Sequence, residues 1–444
     1  MAARVIDRTF DRAELGRRRS IRQVAFASFV GTAVEWYDFF VYGTAAALVL
    51  PKLFFPRFDP LAGTLASFAT FGVGFFARPI GGAVFGHLGD RIGRKSMLVT
   101  TLLLMGGATF LIGLLPTFEQ IGVMAPILLV TLRFVQGFAV GGEWGGATLM
   151  AFEHAPEEDR NFYASWPQLG VPAGLILSTG VFAAFSSLPE KRFLAWGWRV
   201  AFLLSIALIV VGLVIRLRVA ESPVFARVKE RGVESKAPLL EVLRDHRLAL
   251  VLAIGVVFVS ISGFYVVTTF SLSYLTKQLG VSRSVALVGN LLFSVSEAVS
   301  ILIFARLADR VGKHRVAICS AVCIALFSYP FFWLLSTRVP ALIWLAMCVS
   351  AFLGSALYGI TGAILAGLFV ARVRCSGISL GYQLAGMLGG APAPIIATYL
   401  IHWSGGATWS VATYLAASSL ITLVAVYVAS HRESVAILAD PVAA

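Results

Sequence analysis

Charge is what this chain has least of. Only 13% of its 444 residues are Asp, Glu, Lys or Arg, with 23 acids against 36 bases, while 58% are hydrophobic. At a mean hydropathy of +0.85, a soluble protein of this length could not cover its own apolar surface, so lipid must be its solvent. Cysteine is also scarce. Of the four, Cys319 and Cys323 stand one turn apart on one predicted helix, Cys348 lies in another and Cys375 at a loop end. That spacing supports neither a disulfide framework nor a zinc site and leaves them as small apolar fillers. There is no P-loop, metal-ligand cluster or nucleophile elbow, which excludes ATP-driven and covalent chemistry and predicts no metal, no cofactor and no enzyme. The Arg-rich residues 1–23 lack an apolar core followed by a small-residue cleavage site, so they do not read as a removable signal.

What is present is a series of long apolar runs. A spanning helix needs about 20 apolar residues, and twelve such stretches occur, roughly at 24–50, 61–86, 97–116, 124–150, 162–186, 196–217, 248–276, 284–305, 316–336, 341–369, 376–402 and 408–430. The polar stretch 218–247 divides them six and six. If the chain starts in the cytoplasm, 26 of the 36 Lys and Arg residues fall on that side and seven on the other, with Arg78, Arg133 and Arg199 in or at the ends of helices. This positive-inside bias accounts for the net charge of +13 without a nucleic-acid partner and puts both termini in the cytoplasm.

The chain also repeats itself. Gly86-His87-Leu88-Gly89-Asp90-Arg91-Ile92-Gly93-Arg94-Lys95 returns as Ala305-Arg306-Leu307-Ala308-Asp309-Arg310-Val311-Gly312-Lys313, and the Asp-Arg pair shifts by 219 residues (309 minus 90), close to half the chain. Glu221-Ser222 after the sixth span is echoed by Glu433-Ser434 after the twelfth. Such a repeat in an apolar chain is the mark of a transporter built from two helical halves around a central pathway. The expected architecture is an all-α integral membrane protein: a tail 1–23, a six-helix bundle 24–217, a cytoplasmic loop 218–247, a second bundle 248–430 and a tail 431–444. Glycine and proline concentrate in the second, fourth, fifth and eleventh spans, where small residues let helices approach closely.

Ionisable groups inside a span cost about 2.5–3.5 kcal/mol each and so point to function. Glu35 and Asp38 lie three apart, on one face of the first helix and near mid-membrane, and are the candidate proton carriers. Arg133 with Gln136 puts a cation and an amide on one face, matched to a carboxylate. Arg78, shifted by the repeat, falls on Glu297. With Tyr37, Gln168, Tyr265, Tyr382 and Gln383, residues Arg78, Arg133 and Gln136 make the candidate substrate set. Gly86, Asp90, Arg91, Gly93 and Arg94, with Asp309, Arg310 and Gly312 in the repeat, form candidate latches. There the aspartates cap the third and ninth helices and the bases bridge to acids such as Glu143 or Glu153.

At these residues the chain resembles the major facilitator superfamily and, within it, the metabolite:proton symporter family. The loop at 86–95 resembles the superfamily signature, and Arg133-Phe134-Val135-Gln136-Gly137 its fourth-helix motif. More specific are Glu35-Trp36-Tyr37-Asp38-Phe39, Ala77-Arg78-Pro79-Ile80-Gly81-Gly82, the run from Gln136 to Gly146, Trp196-Gly197-Trp198-Arg199 and Ser379-Leu380-Gly381-Tyr382-Gln383. The first four helices are most similar to the shikimate branch. Gly367 and Val370 stand where the family usually has an acid and a proline. The resemblance implies import of a small carboxylate or zwitterion with protons across a bacterial plasma membrane, by a monomer whose partners are substrate, protons and lipid. A proton-driven exporter shares the fold, and a non-transporting sensor would not need the buried charges.

The charge distribution makes a direct prediction. Cysteines replacing Arg57 or Arg338 should react with impermeant thiol reagents from outside intact cells, and one replacing Gly232 should not; labelling at 232 contradicts the topology.

Overall fold

In the computed structural model the backbone is described for residues 2–186, 188–232 and 235–438, and side chains within 21–432 apart from a few positions. The expectations for the two tails fall largely outside the described side chains. All regular structure among the described residues is helical. The long helices are α1 (Ala2–Leu48), α2 (Pro60–Ile92), α3 (Arg94–Leu114), α4 (Met124–His154), α5 (Gly170–Ser186) and α6 (Glu190–Leu217). After the polar stretch come α7 (Arg247–Gln278), α8 (Arg283–Val311), α9 (Lys313–Ser336), α10 (Pro340–Leu368), α11 (Ala371–Trp403) and α12 (Trp409–Leu438). Ten helices among the described residues, including the Ile21–Ala46 part of α1, are long and apolar enough to cross a membrane; α2 and α5 run among them.

Packing repeats as the sequence does. In the first half α1 pairs with α5, α2 with α4 and α3 with α6; in the second half α7 pairs with α11, α8 with α10 and α9 with α12. Across the halves, α2 meets α11 and α5 meets α8. Glycine makes the tightest of these pairings possible. A Cβ on Gly81, Gly137 or Gly141 would run into the backbone of Phe138, Gly74 or Arg78, so α2 and α4 touch along their main chains. Arg78 and Arg133 are thereby held on adjoining helices.

The two loop motifs turn in the same way. Gly93 (φ 110°) and Gly312 (φ 96°) each supply a single left-handed residue between two long helices. Helices α2 and α8 reach these glycines, so they run beyond the apolar stretches that ended at 86 and 305. Hereafter the end bearing Gly93 and Gly312 is the turn end.

Residues 218–247 do more than connect. They form two short helices, Pro223–Glu230, capped by Ser222 accepting from the Phe225 amide at 3.1 Å, and Pro238–Asp245. Phe225, Val228 and Val242 are buried, so the segment packs under the turn end instead of hanging free. Irregular π turns interrupt α7 at Val266–Phe270 and Tyr274–Gln278 and α11 at Gly386–Gly390, a feature that recurs at functional sites in helices.

Candidate functional site: a central cavity closed at one end

At the turn end the two aspartates of the repeat do the same job on opposite halves. Asp90, at the end of α2, accepts from the backbone N–H groups of Cys375 (3.1 Å) and Ser376 (2.8 Å) in α11. Asp309, at the end of α8, accepts from the N–H groups of Asn161 (2.9 Å) and Phe162 (3.1 Å) and from the Asn161 side chain, in the short helix Arg160–Ala164 ahead of α5. Each carboxylate thus satisfies orphan amides and meets the positive end of a helix dipole.

These contacts correct the expectation that Asp90 and Asp309 cap the third and ninth helices. The first amides of α3 are taken by Glu221, whose Oε1 accepts from Arg94 N–H at 3.1 Å and whose Oε2 accepts from Lys95 N–H at 3.2 Å. A linker carboxylate already fills that cap, which frees Asp90 for the other half.

Arg94 is wholly buried. It pairs with Asp90 (3.3 Å) and Glu153 (3.6 Å), donates to the Ala371 carbonyl across the halves at 3.3 Å and lies over Phe225. Arg374 of the second half also reaches Glu153, at 3.6 Å, and Arg306 pairs with Asp159. Gly86 sits where α2 and α11 nearly touch: a Cβ there would be 2.9 Å from Ser376 Cα. Arg91 and Arg310 are exposed. Glu143 stands apart from this cluster. It lies ten residues before Glu153, about 15 Å along the helix, and pairs instead with Arg216 of α6 and with Thr101.

Deeper, the two acids of α1 part company. Asp38 Oδ2 accepts from Thr109 at 2.8 Å; Thr109 accepts from Gln136 Nε2 at 2.6 Å; and Gln136 Oε1 accepts from Arg133 at 3.2 Å. Arg133 itself lies over the rings of Tyr42 (4.2 Å) and Phe71 (4.8 Å). Glu35 is outside this string: its Oε2 has no hydrogen-bond partner, and it lies within electrostatic reach of Arg78 and Arg216. Arg78 is seated over Phe75 (4.6 Å) and Phe39 (4.8 Å).

A cavity lies at mid-depth between the halves. Trp36, Phe75 and Arg78 line it from the first half, and Tyr265, Glu297, Tyr358, Tyr382 and Gln383 from the second. A wider space shares Phe75, Val171, Tyr265 and Glu297 with it and continues past Gly43, Phe71, Thr268 and Ile395, away from the turn end. The pathway is therefore open on one side of the cavity and closed on the other. Two contacts between the halves begin the closure: Tyr382 stacks on Trp144 (3.7 Å between centroids) and Gln383 donates to the Gly141 carbonyl at 3.1 Å.

Of the expected substrate residues, Arg78, Tyr265, Tyr382 and Gln383 reach the cavity. Tyr37, Arg133, Gln136 and Gln168 do not line it. The Tyr37 hydroxyl donates to the Ala201 carbonyl at 2.7 Å. Gln168 is fully buried, and the orientation that satisfies its amide donates to Ser165 and Ala164 carbonyls at 2.9 and 3.1 Å. These amides and hydroxyls are used up inside their own half. Thr109, Arg216 and Glu221 were not among the expected site residues: an uncharged threonine carries no signal of its own, Arg216 stands at the end of the sixth span, and Glu221 signals only the Glu-Ser repeat.

Comparison with known proteins agrees with this geometry. Residues 24–247 match the family described as Sugar (and other) transporter, and residues 252–438 match the Major Facilitator Superfamily. The chain is 42% identical to the shikimate transporter of Escherichia coli (strain K12), over 90% of this chain and 92% of that one. It is 41% identical to the inner membrane metabolite transport protein YhjE of the same organism, over 91% and 93%, and 33% identical to the proline/betaine transporter of Salmonella typhimurium, over 86% and 78%. In fold it is similar to the proton:xylose symporter XylE bound to 6-bromo-6-deoxy-D-glucose, with a TM-score of 0.72 at 19% identity, over 94% and 95% of the two chains. A multi-pass helical membrane protein with a cavity between repeated halves is, by class, a secondary transporter and not an enzyme. The chain belongs to the major facilitator superfamily, among its metabolite permeases.

The cap geometry predicts how the closed end responds to charge. Asp90→Asn keeps an acceptor oxygen but loses the charge that faces the α11 amides, which should weaken closure by about 1 kcal/mol and raise the open fraction about fivefold. Buried Cys375, beside Asp90, reports on this. In a protein with the other three cysteines replaced by serine, its alkylation rate should rise by that factor; an unchanged rate contradicts the cap.

Proposed function

We propose that the chain imports a small carboxylate-bearing metabolite by proton symport and alternating access, in a bacterial inner membrane. In this reading twelve spans form two six-helix bundles, 24–217 and 248–430, joined by 218–247, with both termini and the turn end in the cytoplasm, and one chain is the working unit. The observation that carries it is the cavity itself: mid-depth, walled by both halves, offering the Arg78 guanidinium, and reachable from the end opposite the turns. The similarity to shikimate and proline/betaine transporters supports a carboxylate as the shared feature of the substrate.

Arg78 is the anion site. Its planar fork matches a carboxylate, and the rings of Phe39 and Phe75 fix its plane. Tyr265, Tyr382 and Gln383 offer further hydrogen bonds. Coupling follows from competition. When a substrate carboxylate takes Arg78, Glu35 loses a nearby counter-charge and binds a proton, so substrate and proton load together. Asp38, tied to Arg133 through Thr109 and Gln136, is the second carrier, and changes in that string alter the packing of α1 on α3 and α4. Release inward needs the Asp90 and Asp309 caps to part, with the substrate shifting the equilibrium between the two closures.

The test is uptake into vesicles holding the purified protein, with labelled shikimate, 2-oxoglutarate and proline and an imposed proton gradient. Accumulation of at least one is expected. Glu35→Gln and Asp38→Asn should abolish accumulation while leaving exchange of substrate across the membrane partly intact. Arg78→Lys should also fail, since a point charge does not replace a two-pronged donor, and Arg133→Lys should fail because an ammonium does not reproduce the planar contact with Tyr42 and Phe71. Full accumulation by both acid variants would contradict coupling at α1.

A further inference from the structure

The charges within the spans do not balance. The first half holds three carboxylates, Glu35, Asp38 and Glu143, and three guanidiniums, Arg78, Arg133 and Arg216. At the same depth the second half holds only Glu297. The next charges along α8, Arg306 and Asp309, are nine and twelve residues away, about 13 and 18 Å toward the turn end, and are engaged there with Asp159 and Asn161.

Glu297 is 4% exposed, yet it lines both the central cavity and the wider space beyond it. Among the described residues no cation or hydrogen-bond donor is paired with it. The titratable groups around it are tyrosines: Tyr358 on α10, Tyr265 on α7 and Tyr382 on α11; α9 and α5 present none to the cavity. Across the cavity stands Arg78 on α2, while Glu35 on α1 does not line it. The Tyr358 hydroxyl is hydrogen-bonded to that of Tyr382 and lies within electrostatic reach of both Glu297 and Glu35. Ser260 Oγ and Asn290 Oδ1, in the walls of the same two spaces, are buried and unpartnered.

A lone carboxylate in such a place costs several kcal/mol, more than a few hydroxyl groups return. Its neutralising cation must come from outside the protein. We infer that Glu297 is a proton-binding position of the second half, separate from the acids of α1, which takes its proton through the open side of the cavity and must hold it for a carboxylate ligand to bind at Arg78. The last clause rests on the substrate reading above. Ionised, Glu297 would face the ligand with a like charge; protonated, it leaves Arg78 as the wall's net charge. Binding of an anion and of this proton therefore favour each other. Affinity is full while Glu297 is protonated and falls as pH rises through its ionisation, about tenfold per pH unit for one linked proton.

Two measurements on the full chain in lipid vesicles test this. The first is infrared difference spectroscopy without ligand, between about pH 5 and pH 9. A protonated-carboxyl carbonyl band should disappear as pH rises in wild type, in Glu35→Gln and in Asp38→Asn, and be missing in the isosteric variant Glu297→Gln; a wild-type spectrum whose carbonyl bands are all kept by Glu297→Gln would overturn the proposal. The second is binding of labelled shikimate and 2-oxoglutarate over the same range. Glu297→Gln should bind with little dependence on pH, and a variant that keeps the wild-type slope overturns the link to the anion. Should neither probe bind to wild type, the carboxylate reading and the link to it fail together, while the infrared result still decides whether Glu297 holds a proton.

Discussion

Two carboxylates tie the halves of this protein together at the turn end. Asp90 and Asp309 each end a helix in one half and accept backbone N–H groups at the start of a helix in the other. A hydrogen bond to a charged group is worth about 1.5–3 kcal/mol net of the water contacts it replaces, so each cap adds a contribution of a size that a ligand or a single substitution can offset. The caps do not act alone: around them a buried apolar seam joins the halves, with Phe85, Met97 and Ala147 of the first in one cluster with Leu357, Phe369 and Ile378 of the second.

The rest of the structure serves that arrangement. Gly93 and Gly312 turn the chain so sharply that the aspartates three residues before them face the opposite half. Glu221 occupies the α3 cap, and Glu153 collects Arg94 from its own half and Arg374 from the other. Above them, the main-chain contact of α2 with α4 forms a rigid wall that carries Arg78 into the cavity, while the irregular turns of α7 and α11 on the facing wall place Tyr265 and Tyr382. Rigid on one side and locally irregular on the other, the cavity can tighten around a ligand without breaking a bundle.

Much of this was legible beforehand. Twelve apolar runs, the polar division at 218–247 and the 219-residue repeat follow from composition and spacing, because burial in lipid demands long apolar helices and duplication preserves motif distances. The depth of a residue is legible too, which is why Arg78, Tyr265, Tyr382 and Gln383 were expected near the pathway. The neighbour across a helix interface is not. A helix position specifies depth and face but not which helix that face meets, so Asp90 was assigned to α3 when it meets α11, and Glu143 to the latch when it meets Arg216. Tyr37 and Gln168 have the right chemistry and depth but make their hydrogen bonds inside their own half.

The central claim is that the two aspartate caps set which end of the cavity is open, and distances between the halves at both ends test it most directly. Spin labels replacing the exposed Ile92 and Val311 report on the turn end, and labels replacing the exposed Phe58 and Val339 report on the other. In lipid, the protein should show a short distance at the turn end and a long one at the opposite end. The double variant Asp90→Asn with Asp309→Asn should shift population toward the reverse pattern, the two distances changing in opposite senses. Distributions that the double variant leaves unchanged at both ends would contradict the account.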